Sequence, residues 1–272
     1  MPASSEKPLS KSSYKPIVPA VEQACEILRC LGKNPRFKMG VTEIARSVGI
    51  AKSKGHSILN TLGQFGFVEK DPQTKTYSLG VGLLPLARQV LDNLKYPEIV
   101  SPFLNKLADE THSTALFALI QGDHVVVLDK YERNQNIGFT VRLGHKFHLT
   151  LGAHGKAIVA FLPEEERERI LSQKKLYFSM DPNRFNPRRL REELARCRKL
   201  GYAQDIGGIT PGVNVVSSPL FGNRDRLIGC IILMGTFSKE KVRDFGKKVA
   251  ILGYQISQKL GADVEAIYPK PF

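Results

Sequence analysis

The chain has 272 residues, of which 42% are hydrophobic and 24% charged, values typical of a globular protein with room for two domains. No run reaches the roughly 18 consecutive apolar residues of a membrane helix, which excludes a helical membrane span. The net charge is +14, and residues 1–95 carry half of it, so the N-terminal third has the charge density expected for contact with nucleic acid.

The first 16 residues, "MPASSEKPLSKSSYKP", are rich in Ser, Pro and Lys and contain no apolar segment. They predict a disordered tail over residues 1–16 and not a signal peptide. The four cysteines form no CxxC pair. We therefore expect reduced thiols in a cytoplasmic protein, without a disulfide framework or a zinc site.

Three helices are predicted after this tail. The segment "PAVEQACEILRCLG", residues 19–32, has apolar residues at helical spacing, and "VTEIARSVG" predicts a short second helix with Thr42 as its N-cap. Gly49 suits the left-handed turn into a third helix over residues 51–65. Two helices joined by a glycine turn predict a helix-turn-helix, in which the second helix enters the DNA major groove.

The third helix divides into an apolar face and a polar, cationic face. The residues expected to hold it against the first two helices are Ile58, Leu59, Leu62 and Phe65. The residues expected to contact phosphates and base edges are Lys52, Ser53, Lys54, His56, Ser57, Asn60 and Thr61. Gly55, which lacks a side chain, is expected to let the helix backbone approach DNA closely.

A hairpin is predicted next, because residues 67–70 and 76–79 are strand-like runs around a Pro-containing turn. A hairpin after a recognition helix forms a wing, and Lys75 near its tip is a candidate contact to a phosphate or the minor groove. If Lys75 is left-handed, its conformation costs about 1 kcal/mol. The alternative is a small helical domain with a hairpin whose cations are merely solvated.

Residues 80–100 have an apolar stripe at helical spacing and predict a linker helix that self-associates, with Pro97 at its end. Beyond residue 98 the pattern is α+β. The predicted helices lie within residues 101–112, 152–173, 186–202 and 238–262, and Pro163 divides the second of these segments into a helix and an acidic helix start. The predicted strands cover residues 114–132 as a hairpin, 136–144, 212–221 and 227–237. The last strand is almost entirely apolar, so we expect it at the centre of the sheet.

The segments "VTEIARSVGIAKSKGHSILNTLGQFGFVEKD" and "RLGHKFHLTLGAHGKAIVAFLP" strongly resemble the IclR family of bacterial transcription regulators. The resemblance covers about residues 17–265. It implies an α+β chain with a winged helix-turn-helix DNA-binding domain (17–80), a linker helix (81–97) and a GAF-like effector-binding domain with an antiparallel sheet (98–266). Family members are typically dimers or dimers of dimers and include repressors and activators.

The resemblance also implies the position of an effector site. The residues of this chain that fall there are Phe147, Ala153, His154, Asp205, Val215, Ile232 and Met234. Several family members carry small or polar residues where Ile232 and Met234 stand, so the pocket of this chain is expected to have an apolar floor. That floor suits a small organic acid that is aliphatic or aromatic, with His154 donating to its carboxylate. The alternative is that Ile232 and Met234 are simply core residues.

Other chemistries have weaker signals. His145, His148 and His154 have H-x2-H-x5-H spacing, but a zinc site usually shows Cys or carboxylate ligands as well. No GxGxxG, Walker or GxSxG pattern occurs, so we expect no cofactor and no metal. A hydrolytic site would have to assemble from Ser217, Ser218, His154 and Asp205 by geometry alone.

The charged segment over residues 188–199 predicts a solvated helix face or, alternatively, a surface for a partner such as RNA polymerase. Together these features predict a regulator, not an enzyme, that binds a palindromic operator near a catabolic promoter and responds to a metabolite. The competing hypothesis is an enzyme that acts on the small molecule and carries an appended basic module.

Overall fold

The computed structural model describes residues 18–34, 36–94, 96–133, 141–179 and 186–268, without the side chains of residues 90–94 and 97. The predicted tail over residues 1–16 lies outside these residues. The described chain divides into two compact units, the first ending at Asn93 and the second beginning at Leu94. The α+β architecture predicted from the sequence is confirmed, with helices and a small sheet in the first unit and a larger antiparallel sheet in the second.

The first unit contains helices and three short strands. Its helices are α1 (Pro19–Lys33), α2 (Val41–Val48), α3 (Lys52–Gln64) and α4 (Leu83–Leu94). Its strands are β1 (Met39–Gly40), β2 (Val68–Lys70) and β3 (Thr76–Leu79), which form an antiparallel sheet in the order β1-β3-β2. Apolar side chains from α1, α2, α3 and the hairpin form one core, centred on Ile27, Leu31, Ile44 and Leu59.

The turn between α2 and α3 follows from one glycine. Gly49 has φ +73°, a left-handed conformation that glycine adopts without a steric penalty. The expectation that Thr42 caps α2 is wrong: the N-cap is Gly40, and Thr42 is already the second helical residue. The reason is that Gly40 pairs with Thr76 in the sheet, so the chain enters the helix directly from β1.

The second unit is built around a six-stranded antiparallel sheet. Its strands are β4 (Thr114–Gln121), β5 (His124–Glu132), β6 (Lys146–His148), β7 (Ala203–Ile206), β8 (Asn214–Gly222) and β9 (Arg226–Gly235). Their order is β6-β5-β4-β9-β8-β7, so the expectation that the apolar last strand is central is confirmed. The predicted strand over residues 136–144 lies mostly outside the described residues, and residues 141–144 form no strand.

Helices cover both faces of this sheet. They are α5 (Tyr96–Thr111), α6 (Gly152–Phe161), α7 (Glu164–Leu171), α8 (Pro187–Leu200), α9 (Lys241–Lys259) and α10 (Val264–Ile267). Successive residues of β9 alternate between two cores: Ile231 and Leu233 pack with α5 and α9, and Cys230 and Ile232 pack with α6 and α8. The face toward α6 is the one that carries the candidate effector residues.

All four cysteines are free thiols. Cys197 and Cys230 are buried, and burial raises the pKa of each thiol to about 12. Cys25 lies exposed on α1, while the partly buried Cys30 has its Sγ 3.7 Å from Met39 Sδ. Across the described residues, no helix has the length and apolar character needed to span a bilayer.

Candidate functional site

The solvent-facing surface of α3 contains every residue that the sequence predicted to contact DNA on that helix. All seven of these side chains are exposed, whereas Leu59 and Leu62 are buried against α1 and α2. The first turn of α3 has no acidic residue. Its partial positive charge therefore adds to Lys52 and Lys54 at a surface suited to phosphate. Lys75 of the hairpin is exposed as well.

The polar side chains of α3 are arranged in two i,i+4 rows. Ser57 Oγ donates to the Ser53 carbonyl at 3.2 Å, and Thr61 Oγ1 donates to the Ser57 carbonyl at 3.1 Å. Asn60 Nδ2 lies 3.3 Å from His56 Nδ1, which accepts from the amide. These bonds hold the hydroxyl and amide groups along one exposed strip of the helix, where they can exchange an intrahelical partner for a base edge.

Two expectations about α3 are wrong. Gly55 is buried, and a Cβ there would lie 3.6 Å from Ala45 Cβ and from Ile50 Cδ1, so its missing side chain allows α2 to approach, not DNA. Phe65 is 66% exposed instead of packed in the core. It is the C-cap of α3, beyond the last residue in helical phase, and its ring centroid lies 6.0 Å from that of Phe67.

The hairpin tip is ordered by one carboxylate. Asp71 Oδ1 accepts from the backbone N–H groups of Gln73 and Thr74 at 2.9 and 3.1 Å, and Oδ2 accepts from Lys38 Nζ at 2.9 Å. The Lys38 ammonium and these amides hold the pKa of Asp71 well below its usual range. Lys75 has φ +57°, which is the left-handed conformation. The steric cost of about 1 kcal/mol predicted for Lys75 depended on this conformation. The strained residue thus presents a cation at the tip of the wing.

Strand register brings the predicted effector residues of the sheet together. Asp205 pairs with Val215, Val215 pairs with Met234, and Met234 pairs with Thr114, so one row crosses four strands. Ile232 lies two residues from Met234 on the same face of β9. Four of the predicted residues therefore share the sheet face that packs against α6.

The remaining three predicted residues belong to β6 and the start of α6. Ala153 and His154 are buried in the first turn of α6, and the Phe147 ring lies 5.4 Å from the His154 ring. Gly152, with φ +50°, starts the helix, and a Cβ there would lie 4.0 Å from Asp205 Cγ. The structure thus brings the two groups of residues together at the N-terminus of α6.

His154 cannot act as the sequence suggested. Its Nε2 lies 3.2 Å from the His148 carbonyl oxygen, which only accepts, so Nε2 carries the proton and donates it. Burial lowers the pKa of His154 to about 4, which leaves the ring neutral near pH 7. The expectation that His154 donates to an effector carboxylate is therefore wrong in this conformation. The other nitrogen, Nδ1, is an acceptor and matches a hydroxyl or N–H of a ligand.

Asp205 is held by the loop that follows its own strand. Its Oδ2 accepts from the Ile209 N–H at 3.1 Å, while burial raises the pKa of Asp205. Beside it, Lys156 Nζ lies 2.7 Å from Glu193 Oε2 and donates to the Gln204 carbonyl at 3.4 Å. The carboxylate thus has bonded amides on one side and a largely buried cation of α6 nearby.

Sequence reasoning missed a groove of about 620 Å³ between α8 and β7, which has Asp205 and Lys156 in its walls. A signal was present, since Lys156 is the one cation in the otherwise apolar α6. The charged segment over residues 188–199 lies within α8, as expected for a solvated helix. Many of its charges are paired: Arg191 forms two 2.6 Å bonds to Glu168, and Arg189 lies 3.1 Å from Glu193.

The hydrolytic and metal hypotheses gain no geometric support. Ser217 Oγ donates to the Ile231 carbonyl at 2.7 Å and Ser218 Oγ to the Gly201 carbonyl at 2.8 Å, so both hydroxyls are used by the backbone. His148 Nδ1 lies 2.9 Å from Thr150 Oγ1. Within the described parts of the chain, no cluster of three or more His, Cys, Asp or Glu side chains could hold a metal ion.

Sequence models of two domains match the chain. The IclR helix-turn-helix domain matches residues 20–72, and the bacterial transcriptional regulator IclR C-terminal domain matches residues 88–258. The HTH-type transcriptional regulator XynR of Escherichia coli is 26% identical over 250 residues, which cover 90% of this chain and 98% of XynR.

Solved structures show the same architecture. The crystal structure of the Thermotoga maritima IclR superposes with a TM-score of 0.71 at 31% identity, covering 90% of this chain and 99% of that one. An IclR homologue from Microbacterium hydrocarbonoxydans, complexed with 4-hydroxybenzoate, has a TM-score of 0.75 at 16% identity over 88% of this chain and 99% of its own. The chain therefore belongs to the IclR family of bacterial transcriptional regulators, with a DNA-binding helix-turn-helix followed by a ligand-binding C-terminal domain.

Proposed function

We propose that this regulator reads a palindromic operator near a catabolic promoter with α3 and the hairpin tip, and that a small organic acid controls this binding. The observation that carries the proposal is the exposed polar and cationic face of α3 without a compensating acidic residue in its first turn. In this proposal, the DNA-binding domain covers residues 17–80, the linker helix covers 81–97 and the effector domain covers 98–266. Its place of action is the cytoplasm, where the operator is.

The proposed active form is a homodimer or a dimer of dimers that pairs through α4. Large apolar side chains at and before this helix are exposed within one chain: Val81 is 68% exposed, Leu84 66% and Leu86 50%. Large apolar side chains that are exposed in one chain are often covered by a partner, and the symmetry of a palindrome calls for a second copy. Light scattering at operator-binding concentrations tests this step, and a monomer would contradict it.

The proposed effector carries a carboxylate, a hydroxyl and an apolar body. The carboxylate suits the N-terminus of α6, where the backbone N–H groups and helix dipole favour an anion. The hydroxyl suits the acceptors Asp205 and His154, and the body suits Val215, Ile232 and Met234. The complex of a structural neighbour with 4-hydroxybenzoate supports the view that this fold accommodates such a molecule.

Three linked experiments test both halves of the proposal. Mass spectrometry of metabolites that co-purify with the protein identifies effector candidates, and selection from a random DNA library identifies the operator. Each candidate is then titrated against the operator complex. We expect a hydroxylated acid to change operator affinity and to be recovered chemically unchanged. A product in place of the added molecule would favour the competing hypothesis of an enzyme with a basic module.

The variant Met234→Ser tests whether Met234 contacts the effector. We expect weaker binding of the native effector, because a thioether that adapts its shape to an apolar ligand is lost. Calorimetry with the identified effector measures the change. Lys174→Ala, on the surface of the same unit, is the control for effects of substitution away from the pocket. Equal affinity of Met234→Ser and wild type would place the pocket elsewhere.

A further inference from the structure

Three glycines form a close junction between the end of α3 and the start of α4. Gly66 follows α3 with φ +68°, and its carbonyl oxygen accepts from the Gly82 N–H at 3.0 Å. A Cβ on Gly82 would lie 2.8 Å from both the Gly66 and Phe65 carbonyl oxygens, and a Cβ on Gly80 would overlap the Gly66 oxygen. Neither Gly80 nor Gly82 has a positive φ, so both are glycine because of contact and not because of backbone rotation.

Consecutive backbone amides bind this junction to the wing. The Gly80 N–H donates to the Phe67 carbonyl at 2.9 Å, the Val81 N–H donates to Glu69 Oε1 at 3.3 Å, and the Gly82 N–H bond follows. The Leu84 N–H then donates to the Val81 carbonyl at 2.9 Å and begins α4. Two glycines so close in sequence suggest a flexible hinge. In the structure, however, the amides of residues 80, 81 and 82 are all hydrogen-bonded within the first unit.

We infer that α3 and the first turn of α4 move as one rigid body, and that the Gly66–Gly80–Gly82 junction determines which half-site spacing the regulator accepts. The inference rests on the proposed pairing of two copies through α4. If α4 fixes the dimer axis and the junction fixes the angle from α4 to α3, the separation of the two recognition helices is set within this unit. One added base pair rotates a half-site by about 36° and moves it about 3.4 Å, a change that a rigid head does not follow.

The test compares Gly80→Ala and Gly82→Ala with wild type on duplexes whose two selected half-sites are separated by the native spacing or by one or two base pairs more or fewer. We expect wild type to lose about tenfold affinity per base pair of change. The variants should shift the preferred spacing or flatten the profile to within about threefold. Gly40→Ala is the matched control, because a Cβ there meets nothing within 4 Å. Folded junction variants with the wild-type profile would overturn the inference.

A second measurement does not depend on DNA. Hydrogen exchange of the full chain should show the amides of residues 80–82 as protected as those of the β2–β3 hairpin, and unprotected exchange there would overturn the inference. If the alanine variants do not fold, Glu69→Ala and Glu69→Gln decide: only the glutamine keeps an acceptor for Val81. We expect faster exchange at Val81 and a broader spacing profile for Glu69→Ala alone, and equal behaviour of the two would count against the junction.

These readouts separate the inference from the proposed function. If the selection recovers no DNA sequence, the proposal of operator binding fails, while hydrogen exchange still decides whether the junction is rigid. If an operator is recovered and the junction amides exchange freely, operator binding stands and the rigid junction is wrong.

Discussion

Helices α3 and α6 start with similar residues, Lys-Ser-Lys-Gly-His in one and Gly-Ala-His-Gly-Lys in the other. In α3 the cations and His56 are exposed, and only Gly55 of these five is buried. In α6 the first four residues are all buried, and burial depresses the pKa of His154 to about 4. The same residue types therefore face solvent in one unit and the protein interior in the other.

The difference lies in what covers each helix. One side of α3 packs on α1 and α2 and the other remains open, whereas α6 lies between the sheet and α8. Local sequence determines that both segments are helices, but tertiary packing determines whether the start of a helix is exposed or buried.

The largest expected effect is a loss of stability at acidic pH that is caused by His154. The pKa of His154 is 6.5 in the unfolded chain and about 4 in the folded one, so between pH 6.5 and 4 mainly the unfolded state takes up the proton. Stability that is complete above pH 6.5 should fall by about 3 kcal/mol as the pH drops to 4. His154→Gln, which retains a donor for the His148 carbonyl, should remove this part of the slope.

Urea unfolding at several pH values measures the slope for wild type and His154→Gln. The matched control for the replacement itself is His56→Gln, on the exposed face of α3. Identical slopes for wild type and His154→Gln would show that the buried imidazole does not titrate as described.

The same substitution in the two helices should have opposite results. Gly155→Ala places a Cβ 2.5 Å from the Thr150 carbonyl carbon, and the resulting overlap should cost about 1–3 kcal/mol. Gly55→Ala meets its neighbours at ordinary contact distance and should stabilise α3 by up to about 1 kcal/mol. Thermal and urea unfolding of both variants provide the check, and a destabilised Gly55→Ala would show that α2 and α3 pack more tightly than described.

The outward role of α3 predicts two separable effects on DNA. Lys52→Ala should weaken binding to all sequences and lower the slope of log affinity against log salt by about one. Asn60→Ala should change base preference, by about 1–3 kcal/mol at one position. Gel shifts over a salt series with the selected operator measure both, with Lys174→Ala as the charge-matched control. Operator affinity unchanged in both variants would remove α3 from the interface.

The smallest expected effect concerns the strained wing tip. Lys75→Gly should stabilise the folded protein by up to about 1 kcal/mol, because glycine adopts φ +57° without a steric penalty. Lys75→Ala loses the same charge and keeps the strain, so comparing the two separates strain from electrostatics. Both should reduce the salt dependence of DNA binding equally. A stability difference below measurement error would mean that the turn relaxes around Lys75.

Most helices and the longer strands were predictable because apolar spacing, Gly49 and the apolar β9 are local signals. The strands β1, β6 and β7 were not predicted, because strands of two to four residues are too short to show a sequence period. The errors at Gly55 and His154 have a common cause, since each depends on a neighbour from another element, whereas Phe65 was misplaced because it lies at the C-cap, beyond the helical phase of α3. Periodicity places Gly55 on α3 but does not show that α2 lies against it. Likewise, only the approach of β6 to α6 reveals that the His148 carbonyl uses the one ring proton of His154.

The candidate effector residues of the sheet came from family resemblance, and strand register is the physical reason why Asp205, Val215 and Met234 lie side by side. Lys156 in the otherwise apolar α6 was the one sequence signal for the groove beside α8, but its size was not predictable because it depends on the distance between α8 and the edge strand β7. The identity of the effector depends on shape at the level of single atoms, which residue types alone do not define.

The distribution of the thiols allows a fluorescent label to be attached at one position. Cys197 and Cys230 are buried and resist ionisation, whereas Cys25 is exposed on α1 of the first unit. A maleimide dye at neutral pH should therefore label Cys25 first, and the chain contains no tryptophan to contribute background emission. The dye would lie on the unit that contains the helix-turn-helix, so fluorescence anisotropy can follow release of the labelled protein from an operator while effector is added.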